Sequence, residues 1–181
     1  MLLYIHGFRS THNSAKAVQL KAQYGADIFI ADFSHIPNEA IRTLEKIIAE
    51  NEITGIIASS LGGFYANYLS EKYDLKTLLI NPSTRPYETL ARYLGDNETY
   101  DGDPFVWKQE HLEQLKQFIV PKLSAQNYYL FLQKGDEILD YRIAADYYAG
   151  AKMLIEEGGT HRFEGLERHF LQIDQFFSLS R

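Results

Sequence analysis

Short apolar runs alternate with amphipathic stretches along the whole chain. The runs at residues 2–6, 28–32, 55–59, 77–81, 128–133 and 153–156 carry apolar side chains at odd and even positions alike. A strand with one solvated face alternates, whereas a strand covered on both faces does not have to, and parallel sheets are covered on both faces. The intervening stretches have helical spacing and recognisable ends. Asn13 or Ser14 is placed to cap a helix that runs to about Tyr24, with Gly25 just past its end. Pro37-Asn38 opens a second, through Ile41, Leu44, Ile47 and Ile48, and a third runs from Leu61 to about Lys72. Leu166, Phe170, Ile173 and Phe177 mark one face of a terminal helix, with His169 inside it at the surface or partly buried. Repeated strand–helix alternation predicts an α/β fold: a mostly parallel sheet with helices on both faces, formed by residues 1–181 as one domain.

One stretch breaks this rhythm. Residues 83–127 contain no clear strand, and residues 96–104 (DNETYDGDP) read as a polar, turn-rich segment between helical pieces. An interruption of this length after a strand predicts a short cap or lid insertion.

Composition narrows the class. A 181-residue chain with 45% hydrophobic and 14% aromatic residues has the makings of a globular core. Its net charge of −6 argues against general affinity for nucleic acid or an anionic membrane. With no cysteine there is no disulfide framework, thiolate zinc site or cysteine nucleophile. The start, MLLYIHG, lacks the pattern of a signal peptide, and no run of about 18 apolar residues predicts a membrane span, so the expected location is the cytoplasm. Oligomeric state is left open.

The chemistry concentrates in four loops that follow predicted strands. Ala58-Ser59-Ser60-Leu61-Gly62-Gly63 leaves the run at 55–59 and opens a helix. A nucleophile elbow is a sharp strand-to-helix turn, and crowding there demands small residues two positions either side of the serine. Centred on Ser60 these are Ala58 and Gly62, whereas centred on Ser59 they would be Ile57 and Leu61, which are too large. Ala58 stands where such elbows usually carry glycine. Ile5-His6-Gly7-Phe8 ends the first run and is expected to supply an oxyanion donor from the N–H of Phe8, beside that of Leu61. His6 is expected to orient this loop through side-chain hydrogen bonds. Among six histidines, His161 is framed by Gly158-Gly159 between the last strand and the last helix, which suits a base reaching back over the sheet edge. Asp136, first after the strand and the turn at Gly135, is the preferred orienting acid. Asp140 is expected to cap the helix that follows and Glu137 to be solvated. The chain order Ser60, Asp136, His161 is that of α/β-hydrolases.

These motifs resemble the YqiA/YcfP family of small bacterial α/β-hydrolases over nearly the whole chain. The resemblance rests on YIHGF at 4–8, SSLGGFYA at 59–66, NPSTRPYE at 81–88, GDEILDYR at 135–142 and GGTHRF at 159–163. It implies an α/β-hydrolase fold and esterase activity on small-molecule acyl esters or thioesters, with Ser60, Asp136 and His161 as the triad. Neither a metal nor an organic cofactor is expected. Arg85 and Tyr87 are candidate substrate contacts, together with Tyr93, Tyr100, Phe105 and Trp107, although Glu88 stands at ion-pairing distance in sequence from Arg85. Two alternatives stand beside the esterase: an acyl-CoA-type thioesterase, and a catalytically idle α/β-hydrolase fold serving as a binding module.

Overall fold

A computed structural model describes residues 1–179 of the chain. In chain order its elements are β1 (Leu2–Ile5), α1 (Ala15–Tyr24), β2 (Ile28–Ile30), α2 (Pro37–Glu50), β3 (Gly55–Ser59), α3 (Leu61–Tyr73), β4 (Lys76–Ile80) and α4 (Pro86–Thr89). After these come β5 (Gly95–Glu98), β6 (Pro104–Trp107), α5 (Gln109–Lys116), β7 (Tyr128–Gln133), α6 (Tyr141–Tyr147), β8 (Lys152–Glu156) and α7 (Phe170–Phe177). Six strands form one sheet in the order β2-β1-β3-β4-β7-β8, and every pairing in it is parallel. This is the predicted sheet, with an α/β-hydrolase-like arrangement of helices on its two faces.

The two-sided covering explains the apolar residues of both parities. Leu3, Ile5, Ile56, Ala58, Leu79, Leu130 and Leu132 face a core shared with α2, α3, α5 and α6. Their chain neighbours Leu2, Tyr4, Ile57, Leu78, Tyr129 and Phe131 face a second core shared with α1 and α7. The four inner strands β1, β3, β4 and β7 therefore bury both of their faces, the condition under which period-2 alternation disappears, whereas the edge strands β2 and β8 are only partly covered. The helix ends are those the sequence marks. Ser14 accepts from the Ala17 N–H at the start of α1, Gly25 follows its end, Pro37 opens α2, and Asp140 accepts from the Arg142 N–H at the start of α6.

Two expectations are corrected. The stretch 83–127, read as having no clear strand and with 96–104 as its polar, turn-rich segment, contains an antiparallel hairpin in which Gly95 pairs with Trp107 and Glu98 with Pro104. The strand sequence GDNE is polar and largely exposed, so it carries neither alternation nor an apolar run; only Phe105 and Trp107 on the partner strand are buried. His169 lies not inside the terminal helix but in a 3-10 turn (Leu166–His169) that precedes it. It is buried, and its Nε2 meets Glu156 Oε1 at 3.0 Å. No described helix is long and apolar enough to cross a membrane.

Candidate active site

Parallel strands bring their carboxyl ends to one edge, and the loops that leave that edge are neighbours in space however far apart they lie in sequence. The register sets Ile5 beside Ala58, Ser59 beside Ile80, and Gln133 beside Glu156. The chain continues from these positions into Gly7-Phe8, Ser60, Asn81, Asp136 and the 157–165 loop.

Ser60 joins β3 to α3 with φ 52° and ψ −124°, a backbone conformation that side chains with a Cβ rarely adopt. The turn is tight enough that a Cβ on Gly62 would come within 2.3 Å of the Ile5 carbonyl oxygen. This is the steric reason for the small residue that the sequence pattern requires there. Ser60 Oγ lies 3.0 Å from His161 Nε2, and His161 Nδ1 lies 2.8 Å from Asp136 Oδ2. A carboxylate only accepts, so Nδ1 carries the proton and Nε2 is left to accept from the serine hydroxyl. The other Asp136 oxygen, Oδ1, accepts from the N–H groups of Ile138 at 2.9 Å and Leu139 at 2.8 Å, which fixes the carboxylate plane. The Asp136 side chain is only 2% exposed. The three residues singled out by spacing thus form one hydrogen-bonded chain.

The loop carrying His161 is held by residues that the sequence reading did not single out. Asn81, buried at the end of β4, donates through Nδ2 to the carbonyls of Thr160 at 3.0 Å and His161 at 3.2 Å, and accepts from the Gln133 N–H at 3.0 Å. Its φ of 41° is left-handed, a conformation Asn tolerates better than most residues. Gln133 Oε1 accepts from the N–H groups of Thr160 and Glu164, and its Nε2 donates to Glu156 and to the Glu164 carbonyl. A Cβ on Gly159 would overlap the Gln133 side chain at 2.0 Å, and Gly158 before it takes a left-handed φ of 68°. Glu137 is exposed, as expected, yet it also accepts from the His161 N–H at 2.9 Å, and that bond holds its carboxyl below the usual range. The signal for Asn81 was an Asn closing an apolar strand; its partners lie 52, 79 and 80 residues away in sequence, beyond the reach of local pattern.

Before Ser60 runs the Gly7-Phe8 loop. His6 Nδ1 meets the Gly7 carbonyl at 3.1 Å, so it donates there, and the imidazole stacks on Phe33 at 4.2 Å. Burial pushes the pKa of this ring down, which keeps it neutral, in the orienting role anticipated for it. Phe8 anchors the loop by packing on Tyr93, Phe105 and Trp107. Among the described residues, neither the Phe8 nor the Leu61 N–H has a protein acceptor.

Over Ser60 lies a cavity of about 450 Å³, with Leu61, Leu90, Tyr93, Ile138, Leu139 and Phe163 in its apolar lining. The 83–127 segment contributes Thr89, Leu90, Arg92, Tyr93, Tyr100 and Asp101 to one wall. Arg85 and Tyr87 fall outside this lining. Arg85 lies 3.7 Å from Glu88, one turn away, and Tyr87 packs on Phe64. Phe105 and Trp107 are buried in the core, so of the aromatic candidates Tyr93 and Tyr100 reach the cavity. Among the described residues no three His, Cys, Asp or Glu side chains cluster as a metal site needs.

A parallel sheet with helices on both faces, a strained serine at the carboxyl edge and a His–Asp pair behind it define the α/β-hydrolase fold. Two solved structures share it across almost the whole chain. Alpha/beta hydrolase domain-containing protein 10 from mouse superposes with a TM-score of 0.69 at 16% identity, over 98% of this chain and 89% of that one. The esterase domain from a Rhodothermus marinus protein gives 0.68 at 19% identity, over 98% and 84%. The profile of UPF0227, an uncharacterised protein family, matches residues 1–178, and the chain belongs to that family. The UPF0227 protein YcfP of Escherichia coli (strain K12 / DH10B) is 24% identical over 189 residues, covering 99% of both chains. The YqiA/YcfP resemblance read from the motifs is therefore a family relationship.

Proposed function

We propose that this protein is a serine esterase acting on small-molecule carboxylic acyl esters. Ser60 Oγ attacks the acyl carbonyl while His161 Nε2 takes the hydroxyl proton. Asp136, hydrogen-bonded to Nδ1, keeps the imidazole in the accepting tautomer and stabilises the imidazolium that forms. The N–H groups of Phe8 and Leu61 receive the oxyanion, and Leu61 adds the positive end of α3. His161 then protonates the leaving alkoxide. A water molecule, activated by the same base, attacks the acyl-enzyme and releases the acid and free Ser60. The supporting observation is the unbroken Ser60–His161–Asp136 hydrogen-bond chain at the floor of an accessible cavity.

The test is hydrolysis of a p-nitrophenyl acyl ester series by the wild type and Ser60→Ala. Turnover that disappears in a folded Ser60→Ala protein supports the mechanism. Equal turnover by both proteins rules out Ser60 as nucleophile. A folded wild type that hydrolyses none of the series points instead to a binding module on a hydrolase fold.

A further inference from the structure

The cavity over Ser60 is lined by four basic side chains, Arg9, Lys16, Arg92 and Arg162, and by one acidic side chain, Asp101. The protein as a whole has a net charge of −6, so this wall runs against the sign of the molecule. None of the four basic groups is paired with a carboxylate among the described residues, whereas elsewhere Lys72, Arg142 and Arg168 meet carboxylates at 2.7, 2.6 and 3.2 Å. Asp101 makes no ion pair with any of them among the described residues: its Oδ2 accepts from Thr11 Oγ1 and Asn13 Nδ2.

Three of the cations are contiguous. The guanidinium groups of Arg9 and Arg162 both lie against the Tyr100 ring, 5.4 and 5.7 Å from its centroid. Lys16 Nζ donates to the main-chain carbonyl of Arg162. Arg92 stands apart from these, over the Tyr93 ring at 5.0 Å. Stacking on tyrosine holds the guanidinium planes and offsets part of their desolvation, but it does not cancel charge. Burial, and then the charge of Arg162, bring the Lys16 ammonium down to about 8, the response expected of a cation crowded by another without a counter-ion. Like charges gathered in a partly apolar cleft are unfavourable on their own account, and an anion between them removes the penalty.

Resting on the esterase reading, we infer that the substrate carries an anionic group, a carboxylate or a phosphate, set apart from the scissile carbonyl and held by Arg9, Lys16 and Arg162. Hydrolysis of neutral esters then reports the catalytic machinery alone, and the natural ester is one whose acyl or alcohol part is charged.

Two measurements separate this inference from the reading beneath it. The first compares kcat/KM for matched neutral and anionic esters at low ionic strength. Mono-p-nitrophenyl glutarate against p-nitrophenyl valerate places a carboxylate on the acyl side, and 2-phosphoethyl butyrate against 2-hydroxyethyl butyrate places a phosphate on the alcohol side. At least one anionic ester is expected to be preferred by about 10- to 100-fold, the range of a charge-assisted contact. Raising the salt concentration should erode the preference in the wild type without any substitution. The ratio should fall in Lys16→Met and in Arg9→Met, collapse when the two are combined, and persist in Lys152→Met, whose cation lies on β8 against Tyr129. Equal rates on both members of both pairs overturn the inference and leave the esterase standing. The second measurement is calorimetric binding of 2-phosphoethanol and glutarate to Ser60→Ala, read without turnover. Binding of either that is lost in Ser60→Ala combined with Lys16→Met supports the anion site even where no ester is cleaved. Where no ester is cleaved, absence of binding by both refutes it.

Discussion

Two regions meet over Ser60, and they are built differently. The floor is the carboxyl edge of the sheet, where each reacting group sits one to five residues beyond a strand of the parallel sheet and is fixed by several hydrogen bonds. His161 is held on both ring nitrogens, at its N–H by Glu137 and at its carbonyl by Asn81. The wall contributed by residues 83–127 is anchored from behind by Leu90, Phe105, Trp107, Leu112 and Leu115 in the core, but it meets the β1–α1 loop through aromatic contacts to Phe8 and a few exposed tethers. These are the Tyr100 N–H to the Arg9 carbonyl at 2.8 Å, Arg9 Nε to the Glu98 carbonyl at 2.8 Å, and Thr11 to Asp101. The contrast assigns geometry-critical chemistry to the rigid floor and selection of the substrate to the looser wall.

Substitutions on the two sides should therefore fail differently. The largest effect belongs to the nucleophile: Ser60→Ala should lower kcat on p-nitrophenyl esters by about 10⁴-fold or more, with an unchanged circular-dichroism spectrum and melting curve. Next comes a residue that touches no substrate. Asn81→Ala removes the partner of the part-buried Thr160 and His161 carbonyls and of the buried Gln133 N–H. It should cost about 2–3 kcal/mol in a urea titration and about 10²-fold in kcat, with KM little moved, because His161 loses its alignment.

Wall-side changes should move selectivity and KM instead. Lys16 is charged below about pH 8 and neutral above it, and it is one of three cations assigned to the anion. The ratio of kcat/KM for an anionic ester over its neutral partner should accordingly decline about 10-fold or less as pH rises through 8, and level off without vanishing. Taking the ratio removes the titration of the shared catalytic groups. Smallest of all, Thr11→Val removes one exposed tether to Asp101. It should raise KM by about 2- to 3-fold and leave kcat intact in steady-state assays. A kcat loss there as large as that of Asn81→Ala would erase the distinction between the two sides.

The same division governs what could be read from sequence. The floor was legible because its requirements are local and steric. Only Ser60, not Ser59, has small residues at both flanking positions, and only His161 among the six histidines follows a glycine pair after a strand. Strands buried on both faces announced the sheet through apolar residues at both parities. What escaped depends on contacts across the fold. Asn81 and Gln133 look like ordinary strand ends until the His161 loop folds back on them. The β5–β6 hairpin is hidden by a strand whose sequence is GDNE, held by its partner and not by burial. Arg85 and Tyr87 were candidate contacts as a cation and an aromatic side chain in the inserted segment, yet their side chains turn to Glu88 and to Phe64. The basic wall was invisible for a related reason: Arg9, Lys16, Arg92 and Arg162 come from three separate segments and form no charge run.

The central claim is that Ser60 is an activated nucleophile, and covalent labelling tests it most directly. The wild type should be incubated with a fluorophosphonate, weighed intact and mapped by peptide mass spectrometry. One adduct per chain on the peptide bearing Ser60, absent in Ser60→Ala, is the expected result. A folded wild type that takes up no label, or takes it up on another residue, would contradict the account.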